Sequence, residues 1–204
     1  NTDGSVDTSL DQDGVLEIDH AASFIDVQAD GKLLVGYNAF GDASSSSIAH
    51  FNLARYTTNG VLDTTFSDDG VVETDFMANA AEVVSINDAG QILVRIIDFP
   101  GSGSSGSGSS GGAGTTLVRF QPDGQIDTGF AHEGTVTGDI IAVLDDGKLL
   151  VGAERGGASG SSYTTTITRL NADGSLDAGF DQDGSVEIDH AASFIDVQAD
   201  GKLL

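Results

Sequence analysis

The chain contains one stretch of sequence twice. Residues 17–34 read EIDHAASFIDVQADGKLL, and residues 187–204 repeat the same eighteen letters. The similarity extends upstream, so that 27 of 34 positions agree between residues 1–34 and 171–204, at a constant offset of 170. A fixed internal period defines the folding unit of a repeat protein. The sequence therefore predicts one period of a tandem array followed by the start of the next, in a chain that is a piece of something longer.

A shorter repeat lies inside this period. An Asp-Gly or Asn-Gly pair, with an Asp three residues after the Gly, recurs with spacings of 56, 64 and 50 residues. The four pairs are Asp3-Gly4, Asn59-Gly60, Asp123-Gly124 and Asp173-Gly174. They divide the chain into repeat 1 (1–58), repeat 2 (59–122, with a Gly/Ser-rich loop at 98–114), repeat 3 (123–172) and the start of repeat 4 (173–204, a copy of 3–34).

Each repeat has the pattern of four short strands. In repeat 1 they are predicted at Val15–Asp19, Ser23–Gln28, Lys32–Tyr37 and about Ile48–Tyr56. Ile25 and Val27 alternate with polar neighbours, as in a strand with two unlike faces. Asp30-Gly31 provides the positive φ values of a tight hairpin turn. The apolar run of the third strand predicts burial on both faces. The links between the third and fourth strands all fall at one place in the repeat, which predicts that they lie on one rim.

Four antiparallel strands in about 55 residues describe one blade of a β-propeller. The predicted fold class is therefore all-β, with tandem four-stranded antiparallel blades. The pattern Asp-Gly-x-x-Asp-x-x-Phe, then Asp-Gly-Val-Val, then Asp-Gly-Lys before an apolar run resembles the delta-60 repeat family, most closely at residues 59–76 (NGVLDTTFSDDGVVETDF). The resemblance implies a propeller-like fold found in large bacterial surface or secreted proteins with no settled activity. Three blades and a part do not close a propeller. A ring completed by further copies and an open spiral or fibre both remain open.

The charge of the chain is strongly negative, with 32 Asp and Glu residues against 8 Lys and Arg, a formal net charge of −24. Such a chain repels polyanions, so nucleic acid and anionic membrane surfaces are poor partners. No apolar stretch has the pattern of membrane insertion. The lack of cysteine removes disulfide and thiol chemistry. These features favour an extracellular or cell-surface location, with neighbouring copies of the same repeat as partners and a glycan or protein ligand as a further candidate.

Three of the five arginines occupy one place in successive repeats, near the end of the fourth predicted strand: Arg55, Arg119 and Arg169. Aspartates follow eight residues later, at Asp63, Asp127 and Asp177. An arginine fork and a carboxylate form a directional, charge-assisted pair. The spacing therefore predicts a structural ion pair in each repeat, and Arg119→Ala is expected to destabilise the fold.

Acidic turns resemble half of a calcium-binding loop. The candidate ligands are Asp11, Asp13, Asp68, Asp69, Asp181 and Asp183. The EF-hand pattern fails, because counting from Gly14 places Ser9 at position one and His20 at position twelve. Turn chemistry is the competing interpretation, since Asp hydrogen-bonds its own backbone and Gly adopts positive φ. Calcium is the candidate cofactor, and a calorimetric titration without heat of binding would remove it.

Catalytic residues have no candidate grouping in this sequence. The many serines occur without a G-x-S-x-G elbow, and no pair of histidines has metal-ligand spacing. We therefore expect a non-catalytic protein, a structural or interaction segment of a large extracellular fibre, adhesin or matrix protein. The alternative is a closed β-propeller that binds a glycan or protein ligand through its Gly/Ser-rich rim loops.

Overall fold

A computed structural model of the chain describes residues 2–40, 49–97, 115–156 and 163–189. Strands are the regular elements in these ranges, as the all-β prediction requires. They are β1 (Ala22–Val27), β2 (Leu33–Phe40), β3 (Ala49–Tyr56), β4 (Val71–Met77), β5 (Ala80–Ile86), β6 (Ile92–Ile97), β7 (Thr115–Phe120), β8 (Thr135–Thr137), β9 (Asp139–Val143), β10 (Leu149–Gly156), β11 (Tyr163–Leu170) and β12 (Ser185–Ile188). Within the described ranges there is no helix with the length and hydrophobicity needed to cross a membrane.

The strands form three four-stranded antiparallel sheets, which confirms the predicted fold class. Their orders are β1-β2-β3-β4, β5-β6-β7-β8 and β9-β10-β11-β12. The chain divides into two compact units, one comprising Asn1–Ile97 with Phe120–Gln125 and the other Asp98–Arg119 with Ile126–Leu204. The first unit contains the whole first sheet, and the second unit contains the whole third sheet.

The fourth strand of each sheet follows the Asp-Gly or Asn-Gly marker of the next repeat. β4, predicted as the first strand of repeat 2, pairs with β3 through Leu53↔Val72. β12 pairs with β11 in the same way, through Ile167↔Val186. Sheet boundaries therefore lie one strand later than the predicted repeat boundaries.

The strand predicted at residues 15–19 is not a strand in the structure. Its equivalent in the second copy of the sequence, residues 185–188, lies in a strand beside β11. A strand is held by hydrogen bonds to a neighbouring strand. The prediction was wrong because the residues have strand-forming sequence but no adjacent third strand among the described residues.

The inner strands of each sheet form the core. In the first unit Leu34 and Val35 on β2 are both fully buried, and adjacent strand residues face opposite sides of a sheet. This confirms the predicted burial of that strand on both faces. In the second unit Leu150 and Ile167 are 1% exposed. The outer strand β1 is different, because Ile25 and Val27 are 60% and 59% exposed while Asp26 and Gln28 are half-buried.

The hairpin between β1 and β2 has the three-residue loop that the predicted strand bounds leave, but only the glycine of Asp30-Gly31 has the positive φ expected of both residues. Gln28 N–H donates to the Lys32 carbonyl at 2.8 Å, and Gly31 N–H donates to the Gln28 carbonyl at 2.8 Å. Gly31 has φ of 83°, whereas Asp30 is not among the residues with positive φ. The loop is thus a three-residue turn with its glycine at the left-handed position, a common alternative to the two-residue hairpin.

Candidate functional site

Arg55, near the end of β3, lies at the centre of a compact polar cluster. Its Nε donates to Asp63 Oδ2 at 2.8 Å, its Nη1 donates to the Pro122 carbonyl at 2.5 Å, and its Nη2 donates to the Thr65 hydroxyl at 3.2 Å. The guanidinium carbon lies 4.5 Å from the centroid of the Phe66 ring. The side chains of Arg55 and Asp63 are only 7% and 6% exposed. The guanidinium is therefore enclosed by acceptors and an aromatic face.

The same cluster occurs twice more. Arg119 Nε donates to Asp127 Oδ2 at 2.7 Å, and Arg169 Nε donates to Asp177 Oδ2 at 2.7 Å. The Arg–Asp–Phe clusters, as we call them, consist of Arg55, Asp63 and Phe66; Arg119, Asp127 and Phe130; and Arg169, Asp177 and Phe180. The structure thus places each arginine on the aspartate that the sequence pairs with it. The exposed fraction of the arginine side chain rises from 7% through 12% to 23% along the chain.

Backbone hydrogen bonds explain why the spacing of eight residues works. We call residues 3–14, 59–70, 123–134 and 173–184 the first to fourth turn segments. In the second turn segment Asp63 N–H donates to the Arg55 carbonyl at 2.8 Å, and Arg55 N–H donates to the Gly70 carbonyl at 2.9 Å. Around Arg119 the corresponding bonds run from Asp127 N–H to the Arg119 carbonyl at 2.8 Å and from Arg119 N–H to the Gly134 carbonyl at 3.0 Å. Around Arg169 they run from Asp177 N–H to the Arg169 carbonyl and from Arg169 N–H to the Gly184 carbonyl, both at 2.9 Å. These two bonds fix the turn segment on the strand, so the aspartate falls beside the arginine side chain.

Consecutive turn segments also contact each other. The donor and acceptor pairs are Asp11 N–H to the Asn59 carbonyl at 3.0 Å, Ser67 N–H to the Asp123 carbonyl at 2.7 Å and Ala131 N–H to the Asp173 carbonyl at 3.0 Å. Arg55 and Arg119 extend this contact, since they donate to the Pro122 and Ala172 carbonyls. The clusters of Arg55 and Arg119 therefore each join a third strand to the turn segment that follows it and to the residue just before the next turn segment.

Asp63 is strongly biased toward its charged form. The Thr65 hydroxyl donates to Asp63 Oδ1 at 2.6 Å, and the Lys32 ammonium lies 3.0 Å from Oδ2. These hydrogen bonds, the Thr65 side chain first, and the charge of Arg55 hold the pKa of Asp63 well below its usual value, although burial acts in the opposite direction. The pKa of Asp177 is lowered for similar reasons, chiefly by the hydrogen bond from Lys148 and then by the Gly179 backbone.

The stability of the fold should therefore decline in acid through Asp63. A carboxylate with a lowered folded-state pKa contributes stability above its unfolded pKa of about 4, and the contribution is lost as the pH falls through the folded value. We expect Asp63→Asn to reduce the free energy of unfolding by roughly 2 kcal/mol at pH 7, and this difference from wild type to shrink as the pH falls below about 4. Urea unfolding at a series of pH values measures it.

Asp68→Asn is the matched control for this titration, because Asp68 lies in the same turn segment and is exposed. Acid also protonates other carboxylates of this chain, whose net charge is −24, and so reduces the overall charge repulsion in the folded state. That effect acts on all three chains alike and cancels in the differences between them. A difference between wild type and Asp63→Asn that stays constant with pH would contradict the assignment.

The acidic turns proposed as calcium ligands are engaged with their own backbone. Asp13, Asp69 and Asp183 accept hydrogen bonds from the N–H groups of Val15, Val71 and Ser185 at 2.9, 2.9 and 3.0 Å. Asp11, Asp68 and Asp181 sit at left-handed φ values of 42°, 64° and 45°. Among the residues that the structure describes, no three His, Asp or Glu side chains lie close enough together to hold a metal ion. This geometry favours the turn interpretation, and calcium binding stays a prediction for calorimetry.

A cleft of about 840 Å³ in the first unit is a site that the sequence did not reveal. β1 and β5 line it, together with the hairpin turns that follow them and with Lys32 and Arg55. Gln28 Oε1 is buried there and has no hydrogen-bond partner within the described ranges. The sequence feature that could have indicated the cleft is the presence of polar Asp26 and Gln28 at the positions where repeat 3 has the apolar residues Ala142 and Leu144.

Comparison with known proteins gives one informative match. The model of a family described as "Domain of unknown function (DUF5122) beta-propeller" matches residues 28–66, 102–130 and 144–180, which together are just over half of the chain. Neither the curated proteins nor the solved structures contain a significant match.

Proposed function

The chain belongs to the DUF5122 beta-propeller family, and from this premise we propose that it is a non-catalytic structural and interaction segment of a large extracellular fibre, adhesin or matrix protein. In this role its repeats bind neighbouring copies of themselves. The resemblance of residues 59–76 to the delta-60 repeat points in the same direction, and an extracellular or cell-surface location is part of this proposal.

The observation that supports this proposal is the way in which sheets are shared between repeats. β4 and β12 each belong to the repeat after the one that supplies the rest of their sheet. The Arg–Asp–Phe clusters connect the same pairs of repeats through side chains, because the arginine of one repeat binds the aspartate of the next. Repeats that complete each other's sheets cannot separate without exposing strand edges, and exposed edges are costly. Such an array can transmit mechanical load from repeat to repeat, as a structural protein requires.

The charged side chains of the described residues support a structural role better than a catalytic one. All three arginines have carboxylate and aromatic partners, and Arg55 and Arg119 also donate to a backbone carbonyl. The excess of acidic residues keeps long arrays apart from each other and from polyanions. In a salt-containing extracellular medium these charges are screened within about 10 Å.

The proposal is tested with chains of one, two and three 170-residue periods. Small-angle X-ray scattering and negative-stain images should show particles whose longest dimension increases with each added period. Circular dichroism on the same samples controls for folding of the added repeats. Compact discs of constant diameter, with the added periods folded, would contradict a continuous array and favour a closed ring.

The cleft in the first unit supports a second candidate, a propeller that binds a glycan or protein ligand. The Gly/Ser-rich loops first considered for this role lie largely outside the described residues. The cleft instead has polar side chains and a buried, unsatisfied acceptor at Gln28. A glycan array would show saturable binding by wild type that Gln28→Leu abolishes, since Leu is the residue of repeat 3 at this position. Equal signals from the two chains would exclude the cleft.

A further inference from the structure

The second turn segment begins with the only Asn-Gly pair of the sequence, Asn59-Gly60. The other three begin with Asp-Gly, at Asp3, Asp123 and Asp173, and each of these carboxylates accepts the N–H of the residue two positions later at 2.9 to 3.1 Å. At Asn59 the side chain is a neutral amide, whose carbon is more open to attack by a nucleophile than the carbon of a carboxylate anion. The second turn segment is therefore the one whose first side chain reacts most readily with the backbone.

The residue after Asn59 supplies the nucleophile, because Gly60 has no side chain beside its backbone nitrogen. The N–H of Gly60 donates to the Thr57 carbonyl at 3.0 Å, and Gly60 has φ of 84°. These are the features of a three-residue hairpin turn with its glycine at the left-handed position. Asn59 itself is exposed, so water reaches its side chain. None of the other six asparagines in the sequence is followed by glycine.

We propose that Asn59 is a site of spontaneous deamidation, with water as the only other reactant and with its rate set by the contact between the first and second turn segments. The Gly60 nitrogen loses its proton to water and attacks Asn59 Cγ, and the new N–C bond closes a succinimide ring. The bond from Cγ to the side-chain nitrogen breaks, and this nitrogen leaves with an added proton as ammonia. Water then adds to either ring carbonyl and opens the ring, which leaves aspartate or isoaspartate at position 59.

The folded turn restrains the Gly60 nitrogen in two ways. Its hydrogen is held by the Thr57 carbonyl, so the nitrogen keeps its proton while the turn is closed. The first turn segment also covers the turn, because Asp11 N–H donates to the Asn59 carbonyl at 3.0 Å and Gly60 is buried. A Cβ atom on Gly60 would lie 3.1 Å from Asp11 Cβ and 3.4 Å from Leu10 Cδ1. The rate in the folded chain should therefore follow the fraction of time for which this contact is open.

The two products differ in their effect on the contact. Aspartate places at position 59 the residue type of the other three turn segments, whose turns close in the same way through Gly124 and Gly174. Isoaspartate instead carries the chain through the side-chain carbon, which adds a methylene to the backbone. The former Asn59 carbonyl, the acceptor of Asp11 N–H, becomes a free carboxylate outside the chain. Isoaspartate should therefore loosen the first turn segment from the second, and aspartate should not.

Incubation of the whole chain in weakly alkaline buffer, followed by peptide mass spectrometry, provides the test. Deamidation should accumulate at Asn59 before any other asparagine, and roughly tenfold or more faster in urea than in the folded chain. Leu10→Ala removes part of the cover over Gly60 and should raise the rate in the folded chain by roughly fivefold. Val15→Ala is the matched control, because Val15 follows the same turn segment and is 55% exposed. Circular dichroism verifies that both variants are folded.

The products are compared by hydrogen exchange at the Asp11 amide. The isoaspartate species, separated from the incubated chain, should exchange this amide faster than wild type, whereas Asn59→Asp should exchange it at the wild-type rate. Deamidation that begins at another asparagine, or that is as fast in the folded chain as in urea, overturns the proposal. Equal rates in folded Leu10→Ala and Val15→Ala overturn the control by the first turn segment. The site goes beyond the structural role and does not depend on it.

Discussion

Arg55→Ala is expected to lower the free energy of unfolding by about 3 kcal/mol, because removing one partner of a buried ion pair leaves the other charge without compensation. Asp63 retains Lys32 at 3.0 Å, which limits the loss. The Pro122 carbonyl loses a donor and the Phe66 ring loses its cation. Urea unfolding followed by circular dichroism measures the change, and the midpoint should fall without a change in slope.

Arg95→Ala is the matched control for the loss of an arginine from a strand. Arg95 pairs with Glu82 at 2.9 Å, and the Glu82 side chain is 53% exposed. Pairs of this kind contribute about 1 kcal/mol or less. Arg119→Ala is expected to behave like Arg55→Ala, as the sequence predicts, since the Arg119 side chain is only 12% exposed. Wild-type unfolding midpoints in both cluster variants would refute a structural role for the clusters.

Local patterns made most strands predictable. β3 ends at Tyr56, the predicted end of the fourth strand of repeat 1, and β1 (Ala22–Val27) lies within one residue of the predicted Ser23–Gln28 at both ends. The Arg–Asp spacing was informative for the same reason. The eight residues from Arg55 to Asp63 contain the end of the strand and the Asn59-Gly60 turn, and the shape of such a turn depends on its Gly and Asn or Asp positions. The aspartate partner of each arginine could therefore be inferred from local sequence, whereas the Pro122 carbonyl, 67 residues from Arg55, could not.

Features that depend on distant residues were not predictable in this way. Val71–Met77 has the sequence of a strand, but nothing within it shows that β3 of the preceding repeat is its neighbour. Residues 15–18 (VLEI) and 185–188 (SVEI) show the limit directly, because these equivalent stretches share two of four residues and only the second forms a strand. The cleft was missed because Gln28 is polar, and polar residues are assigned to the solvent side of a strand by alternation alone.

Gly174→Ala is expected to destabilise the chain by about 3 kcal/mol, which combines the strain of a side chain at positive φ with overpacking. Gly174 has φ of 80°. A Cβ atom there would lie 2.6 Å from Ala131 N and 2.7 Å from Ala131 Cβ. Ala131 cannot withdraw without losing its hydrogen bond to the Asp173 carbonyl. Urea unfolding of the variant should show this loss.

Gly4→Ala is the control that separates strain from overpacking. Gly4 is the equivalent of Gly174 in the first copy of the repeat, has φ of 82°, and a Cβ atom there meets nothing within 4 Å. Its substitution should cost only the conformational term, about 1 kcal/mol. Equal losses at the two positions would mean that the contact with Ala131 does not contribute. A larger loss at Gly174 shows that turn segments pack directly on one another, which is the contact that any array of these repeats must reproduce at every step.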